Sequence, residues 1–259
     1  MTSILDLYVR PDEQCVALAG EYRLFQRYQG HRYSVDDMLV AYVAGSELSS
    51  PRCVLDLGCG LGSVMLMLAW RFPGARFVGI EAQIEHVEMA RRNVLLNGCE
   101  QRATIIHGDL RADWELVEKM GPFDLITATP PYFDPRTSTV CKDSQRAYAQ
   151  WELRGGIEDY ALAASKLLSQ GGCFVACSAA NPRGRVESAF ERVGLFPNWH
   201  RDVLPRPGGI PFLSLWIASR KPEIPVRCSL PLVLREADGT RTAEHIEIRE
   251  WFGIPCSLN

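Results

Sequence analysis

From about residue 50 onward, short apolar runs alternate with longer helical patterns, and this alternation leaves few folds open to the chain. "RCVLDLGCG" reads as a strand entering a glycine turn, "SVMLMLAWRF" as a helix halted before Pro73, and "ARFVGIE" as a second strand. "QIEHVEMARRNVLLNG" is an amphipathic helix stopped by Gly98. "ATIIHGD" and "FDLITAT" are strands, "GIEDYALAASKLLSQGG" is a helix with a glycine stop, and "CFVACSA" is a fifth strand. "VESAFERVG" is a last helix, and "WHRDVLP" with "FLSLWIASRK" form a closing antiparallel pair. Strands alternating with helices are the signature of a mostly parallel sheet, because each helical crossover returns the chain to the end of the sheet where the previous strand began. The predicted fold class is therefore α/β: a mostly parallel sheet with an antiparallel end and helices on both faces.

The flanks are shorter units. "EYRLFQRYQGHRYSVDDMLVAYVAG" reads as a hairpin followed by a helix, and the tail after Pro222 shows a turn at Asp238-Gly239. Neither has enough apolar residues for its own core. The expected organisation is an N-terminal extension over 1–50, a central domain over 51–222 and a C-terminal extension over 223–259, both extensions packing on the sheet. No apolar run approaches the roughly 18 residues of a membrane span, and the N-terminus lacks a secretory signal, so a cytoplasmic protein is expected. The 9 cysteines include no C-x-x-C pair and several fall in apolar strands, which reads as reduced core residues. The 5 histidines show no metal-ligand spacing, so no metal is expected.

The chemistry-bearing residues collect at strand ends. "DLGCGLG" carries Asp56, Gly58, Gly60 and Gly62 between a strand and a helix; Glu81 and Ala82 end the second strand; Asp109 and Leu110 follow the third. Glycines let a ligand approach the backbone, and an acidic residue at the second strand tip suits a ribose diol. Asp56 just before the first glycine would repel a pyrophosphate but attract an ammonium or sulfonium. The set therefore favours S-adenosylmethionine over a nicotinamide dinucleotide, with Glu81 on the ribose and Asp109 near the adenine. The fourth strand ends in "TPPYF", Thr129 to Phe133, where two prolines stop sheet pairing and free a carbonyl while Tyr132 and Phe133 offer aromatic faces.

Taken in order, "VLDLGCGLG", "VGIE", "GDL" and "FDLITATPPY" resemble motifs one to four of the class I methyltransferases over about 80 residues, which implies that family's Rossmann-like sheet of seven strands. In that family the last motif is usually Asn, Asp or Ser followed by Pro-Pro-aromatic, and it implies methyl transfer to a planar nitrogen of adenine, cytosine, guanine or glutamine. By the resemblance Thr129, Pro130, Pro131 and Tyr132 are the catalytic set. Thr129 also borders the cofactor, S-adenosylmethionine, and it is the one departure from the motif. A planar nitrogen needs acceptors on its N–H bonds and a ring to hold it; a base stacked on an aromatic is worth roughly 1–3 kcal/mol.

The flanks narrow the family. "YQGHRYSVDDMLVAYVA", with Tyr33, Ser34, Val35 and Asp36, and "QRAYAQWELRGGIEDYALAASKLLSQGG" are similar to bacterial tRNA adenine-N6 methyltransferases that modify a valine tRNA. That resemblance implies that Asp36 closes the cofactor pocket, that Tyr132, Phe133, Arg146 and Arg154 face the substrate, and that the partner is tRNA. Residues 120–221 carry 12 basic and 9 acidic side chains against a net charge of −3 for the chain, which allows an RNA face without requiring one. Two other readings stand beside it: a methyltransferase acting on protein glutamine or a small molecule, and a non-catalytic protein that binds the cofactor or RNA.

Overall fold

The structure is a computed structural model and describes residues 8–254. In chain order the elements are β1 (Glu13–Ala19), β2 (Tyr22–Arg27), α1 (Val35–Glu47), β3 (Cys53–Leu57), α2 (Ser63–Arg71), β4 (Arg76–Glu81), α3 (Ile84–Leu96) and β5 (Ala103–His107). They continue with α4 (Glu115–Glu118), β6 (Phe123–Ala128), α5 (Ser144–Gln150), α6 (Ile157–Leu167), β7 (Leu168–Ala179), α7 (Arg183–Glu191), β8 (Phe196–Leu204) and β9 (Leu213–Ser219). The tail adds β10 (Arg227–Cys228), β11 (Leu232–Val233) and α8 (Ala243–Trp251).

The main sheet has the order β10-β8-β9-β7-β6-β3-β4-β5, with β11 also pairing β8. β5, β4, β3, β6 and β7 run parallel, and β9 pairs antiparallel with both β7 and β8. The expected parallel sheet with an antiparallel end is thus β3 to β9, and the tail lengthens its edge by two very short strands. The chain builds outward from β3 through β4 to β5, then crosses back to place β6 on the other side of β3. Such a reversal opens a crevice at the carboxyl ends of the two central strands.

Strand periodicity divides the interior in two. Val54, Phe77, Leu125, Val175 and Leu215 pack on one face with α1, α2 and α3. Their neighbours Leu55, Val78, Ile126, Phe174 and Trp216 pack on the other with α6 and α7. Successive side chains of a strand point to opposite faces, so a continuous apolar run is required where both faces are covered. Leu18, Leu24 and Phe25 of the N-terminal hairpin and Ile248, Phe252 and Ile254 of the tail enter the first of these two cores. All eight described cysteines are free, among them Cys53, Cys59, Cys173 and Cys177, which are buried; Cys256 lies outside the described residues.

Three local expectations are corrected. The helix expected over 156–172 ends at Leu167, and Leu168 to Gly172 already belong to β7. Gly172 serves strand approach: a Cβ there would sit 2.8 Å from the Asp124 carbonyl oxygen. The N-terminal hairpin starts upstream of the expected stretch, with β1 at Glu13 and its turn at Gly20. The tail contains a helix, α8, that the turn signal alone did not reveal; Thr242 caps it by accepting from the His245 N–H at 3.2 Å.

One buried amide stitches the hairpin to the sheet. Asn93 Oδ1 accepts from the Phe25 N–H at 2.7 Å, while its Nδ2 donates to the carbonyls of Phe25 (3.1 Å) and Leu61 (3.0 Å). Asn93→Ala strands one buried donor and two acceptors. The expected cost is about 2–4 kcal/mol, read as a lower urea midpoint with an unchanged slope; a midpoint equal to wild type would show that the amide does not hold the hairpin.

Candidate active site

The crevice holds a cavity of about 330 Å³. Four strand ends and the segment before α1 supply its walls. From β3 come Gly58, Cys59 and Gly60; from β4, Glu81 and Ala82; after β5, Asp109 and Leu110; after β6, Thr129 to Phe133. Ser34, Asp36 and Asp37 close one side.

Gly58 has φ +63°, and a Cβ there would lie 2.6 Å from the Tyr160 hydroxyl, so both backbone conformation and space require glycine. The Gly60 N–H donates to Glu81 Oε2 at 3.0 Å, and the Gln83 N–H donates to Glu81 Oε1 at 2.7 Å. Glu81 is buried, yet its acidity is increased: burial opposes ionisation, but His86 and these two backbone donors more than offset it. The carboxylate is therefore ionised and oriented, with further lone pairs left for a diol. His86 is buried, with Nε2 unpartnered and Nδ1 3.1 Å from Gln83 Nε2. The His31 ring lies 5.4 Å from it, its pKa lowered to about 4 by burial and then by the neighbouring imidazole.

On the α1 side three carboxyl groups converge. Asp37 accepts from Ser63 Oγ at 2.9 Å and from the Ser34 N–H at 3.2 Å; Asp36 accepts from Ser34 Oγ. Asp56 Oδ1 accepts from Thr127 Oγ1 at 2.8 Å, whereas Oδ2 is buried with no partner. Burial pushes Asp37 up to about 7, with the Asp36 charge adding to the shift, and burial likewise pushes Asp56 up to about 7. Asp36 and Asp37 line the cavity, and Asp56, with one oxygen buried and unpartnered, adds its charge from behind the glycine turn; this arrangement suits a cationic ligand and opposes a pyrophosphate. These residues therefore fit S-adenosylmethionine, whose methionine end carries an ammonium beside the sulfonium.

The "TPPYF" turn forms the remaining wall. Pro130 and Pro131 are buried, Thr129 and Tyr132 half-buried, and Phe133 exposed. Among the described residues no backbone donor reaches the Pro130 carbonyl. Tyr132 meets Phe133 edge-on at 5.1 Å, and Phe133 in turn packs against Trp151 at 5.3 Å. The segment is pinned by the Phe133 N–H to the Gln150 carbonyl and the Glu152 N–H to the Phe133 carbonyl, both at 3.0 Å.

Several expected positions are displaced. Asp56 and Gly62 do not line the cavity: Asp56 lies behind the glycine turn, and Gly62 sits at the cap position of α2. Asp109 lines it, but its carboxylate is clamped by Arg111 at 2.6 Å, which holds its pKa down, so an adenine edge would have to share it. Arg154 lines the cavity, with its guanidinium 4.2 Å from the Tyr148 ring centroid and one terminal nitrogen buried without a partner. Arg146 is exposed on α5 and faces an adjoining cleft instead. Sequence reasoning passed over Asp37, Ser63, His31, His86, Tyr160 and Phe212, all of which line the cavity. Asp37 and Ser63 had a signal, standing next to Asp36 and Gly62; Phe212 comes from the loop after β8, and nothing local marks it.

A methyltransferase-domain family profile matches residues 54–149. A tRNA1(Val) (adenine(37)-N6)-methyltransferase of Yersinia pestis is 30% identical over 202 residues, covering 76% of this chain and 77% of that protein. The chain belongs to the class I methyltransferases. A tRNA1(Val) (adenine(37)-N6)-methyltransferase of Porphyromonas gingivalis is 36% identical over 160 residues, and the match spans 60% of either protein. A release factor glutamine methyltransferase of Chlorobaculum tepidum is 30% identical over 61% of this chain and 57% of its own length. Among solved structures, a predicted O-methyltransferase from Agrobacterium tumefaciens superposes with a TM-score of 0.61 at 20% identity, over 83% of this chain and 96% of that one, and shares the fold. Of this methyltransferase's described residues, no group of three or more His, Cys, Asp or Glu side chains could hold a metal ion, and no helix is long and apolar enough to cross a membrane.

The raised carboxyls make cofactor affinity depend on pH. A folded-state pKa above the ordinary carboxylate range stabilises the ligand-free fold at low pH, and that contribution is lost as pH rises from about 4 towards about 7. A cationic ligand favours the ionised forms. Affinity for S-adenosylmethionine is expected to weaken as pH falls below about 7, with protons released on binding at that pH. Calorimetry in buffers of different ionisation heat reads this directly; proton uptake, or an affinity flat in pH, would contradict the assignment of these carboxyls to the ligand's cationic end.

Proposed function

We propose that the protein transfers a methyl group from S-adenosylmethionine to the exocyclic N6 of an adenine in tRNA. The observation that carries this is the "TPPYF" turn, set at the wall of the cavity with an unpaired proline carbonyl and a half-buried tyrosine ring. Relatives named as tRNA adenine-N6 methyltransferases support the choice of acceptor.

In this reading Glu81 holds the ribose and the Asp36, Asp37 and Asp56 group attracts the methionine end. Bound there, S-adenosylmethionine would supply an electrophilic methyl group, its S–CH3 bond breaking as the neutral thioether S-adenosylhomocysteine leaves. Tyr132 stacks on the acceptor ring and sets its angle. The Pro130 carbonyl and the Thr129 hydroxyl accept the two N–H bonds of the amine, which favours pyramidalisation and exposes the lone pair to the methyl carbon. Thr129 is shorter than the asparagine usual at this position, so its acceptor reaches less far. A strong general base is unnecessary, because the amine loses its proton only after it has gained positive character.

Glutamine is a second planar acceptor, and the release factor glutamine methyltransferase relative keeps it as the alternative. Mass spectrometry of nucleosides from a deletion strain separates the two: the expected result is loss of N6-methyladenosine from tRNA. Unchanged tRNA together with loss of a methylated glutamine would overturn the RNA reading. Tyr132→Ala is expected to slow transfer by about 10- to 100-fold, from the roughly 1–3 kcal/mol of a base stack, while calorimetric affinity for the cofactor stays near wild type. A variant that methylates normally would remove the stacking role.

A further inference from the structure

A cleft of about 480 Å³ adjoins the active-site cavity and shares His31, Arg32, Ser34 and Gln150 with it. Its other walls include Tyr28, Tyr33 and Arg146. Tyr28 is 59% exposed, and Arg32 and Arg146 are both exposed. No ion pair engages either guanidinium among the described residues; Arg146 is tied only through its backbone N–H, which donates to Asp143 Oδ1 at 2.9 Å.

The contrast with the concavity on the far side of Tyr132 and Phe133 is informative. That space, about 620 Å³, also has two arginines, but Arg136 is closed by Asp134 at 2.8 Å, and Arg185 is closed by Glu152 and Glu158 at 2.7 Å each. Paired guanidiniums have little left for a phosphate; open ones keep their full fork of donors. The active-site cavity carries four carboxyl groups, Asp36, Asp37, Glu81 and Asp109, against two guanidiniums, Arg32 and Arg154, and this acidic excess would repel a phosphate backbone. A strand whose base enters that cavity is therefore pushed out of it and drawn over the shared rim towards Arg32 and Arg146. Asp143 also lines the cleft and opposes this, but it is a single carboxylate with one oxygen committed to the α5 cap, facing two guanidiniums.

We propose that this cleft is a nucleotide subsite for the RNA strand next to the acceptor adenine, with Arg32 and Arg146 on backbone phosphate and Tyr28 under a neighbouring base. The subsite rests on the RNA reading given above. It positions the strand and does not touch the reacting atoms.

The test uses the full chain, an unmodified tRNA transcript and the variants Arg32→Ala, Arg146→Ala and Tyr28→Ala. Each arginine variant is expected to raise KM for the transcript about tenfold and to lower the slope of log KM against log salt by about 1. For Arg146→Ala and Tyr28→Ala, whose residues do not line the active-site cavity, the rate at saturating transcript and the calorimetric affinity for S-adenosylmethionine should stay near wild type, and the latter also reports intact folding. Lysine at either arginine position should restore the salt slope, which a merely structural role would not produce. Tyr28→Ala should raise KM without changing the slope. Wild-type KM and slope in variants that bind cofactor would overturn the subsite alone. A wild-type enzyme that methylates protein glutamine and no RNA would instead overturn the RNA reading, and the subsite with it.

Discussion

The pairing of β3 with β6 is the constraint on which the site depends. Asp56 pairs with Thr127 and Leu57 with Ala128 in that ladder, so the glycine turn and the "TPPYF" turn leave the sheet side by side. The same contact carries the hydrogen bond from Thr127 to Asp56, which leaves the second carboxylate oxygen buried and unpartnered. Slipping this pairing by one residue would turn Asp56 to the opposite face and exchange the two apolar cores. The cavity, its acidic cluster and the "TPPYF" wall are consequences of one register.

The two extensions complete what the sheet begins. The hairpin is fastened by Asn93 and by the buried bidentate pair of Arg92 with Glu13, at 2.6 and 2.9 Å. It leads into His31, Arg32 and Ser34, which line the cavity before α1 starts. Without that segment Asp36 and Asp37 would be solvated, and their carboxyls would have no reason to depart from ordinary acidity. The electrostatic demand for a cationic ligand thus arises from tertiary docking of a segment that contributes no strand to the main sheet. The active-site crevice has an acidic excess and the adjoining cleft carries two open guanidiniums, so in the proposed RNA reading the two would attract different parts of the substrate and cofactor.

Fold class and strand order of use were legible because burial on both faces forces uninterrupted apolar strands, and the helices between them keep amphipathic spacing. Gly58, Glu81 and the "TPPYF" residues were legible for a related reason: each sits at a strand end, where local chain direction already dictates exposure to the crevice. Gly172 misled because a helix stop and a close strand approach ask for the same residue. The α8 helix was missed because its apolar face, Ile248 and Phe252, is short and gains its meaning only against the first core.

What the sequence by itself determined is the set of groups placed at the carboxyl ends of the strands, since strand direction and turn chemistry are local. What only the tertiary structure decided is which of those groups share a space. His31 meets His86, Phe212 reaches the cavity from beyond β8, Arg111 takes hold of Asp109, and Arg146 parts from Arg154, because long-range packing brings distant segments together and moves near ones apart. No periodicity encodes those meetings; the enclosure of charge by residues far along the chain produces them, and with them the acidity that suits a cationic cofactor.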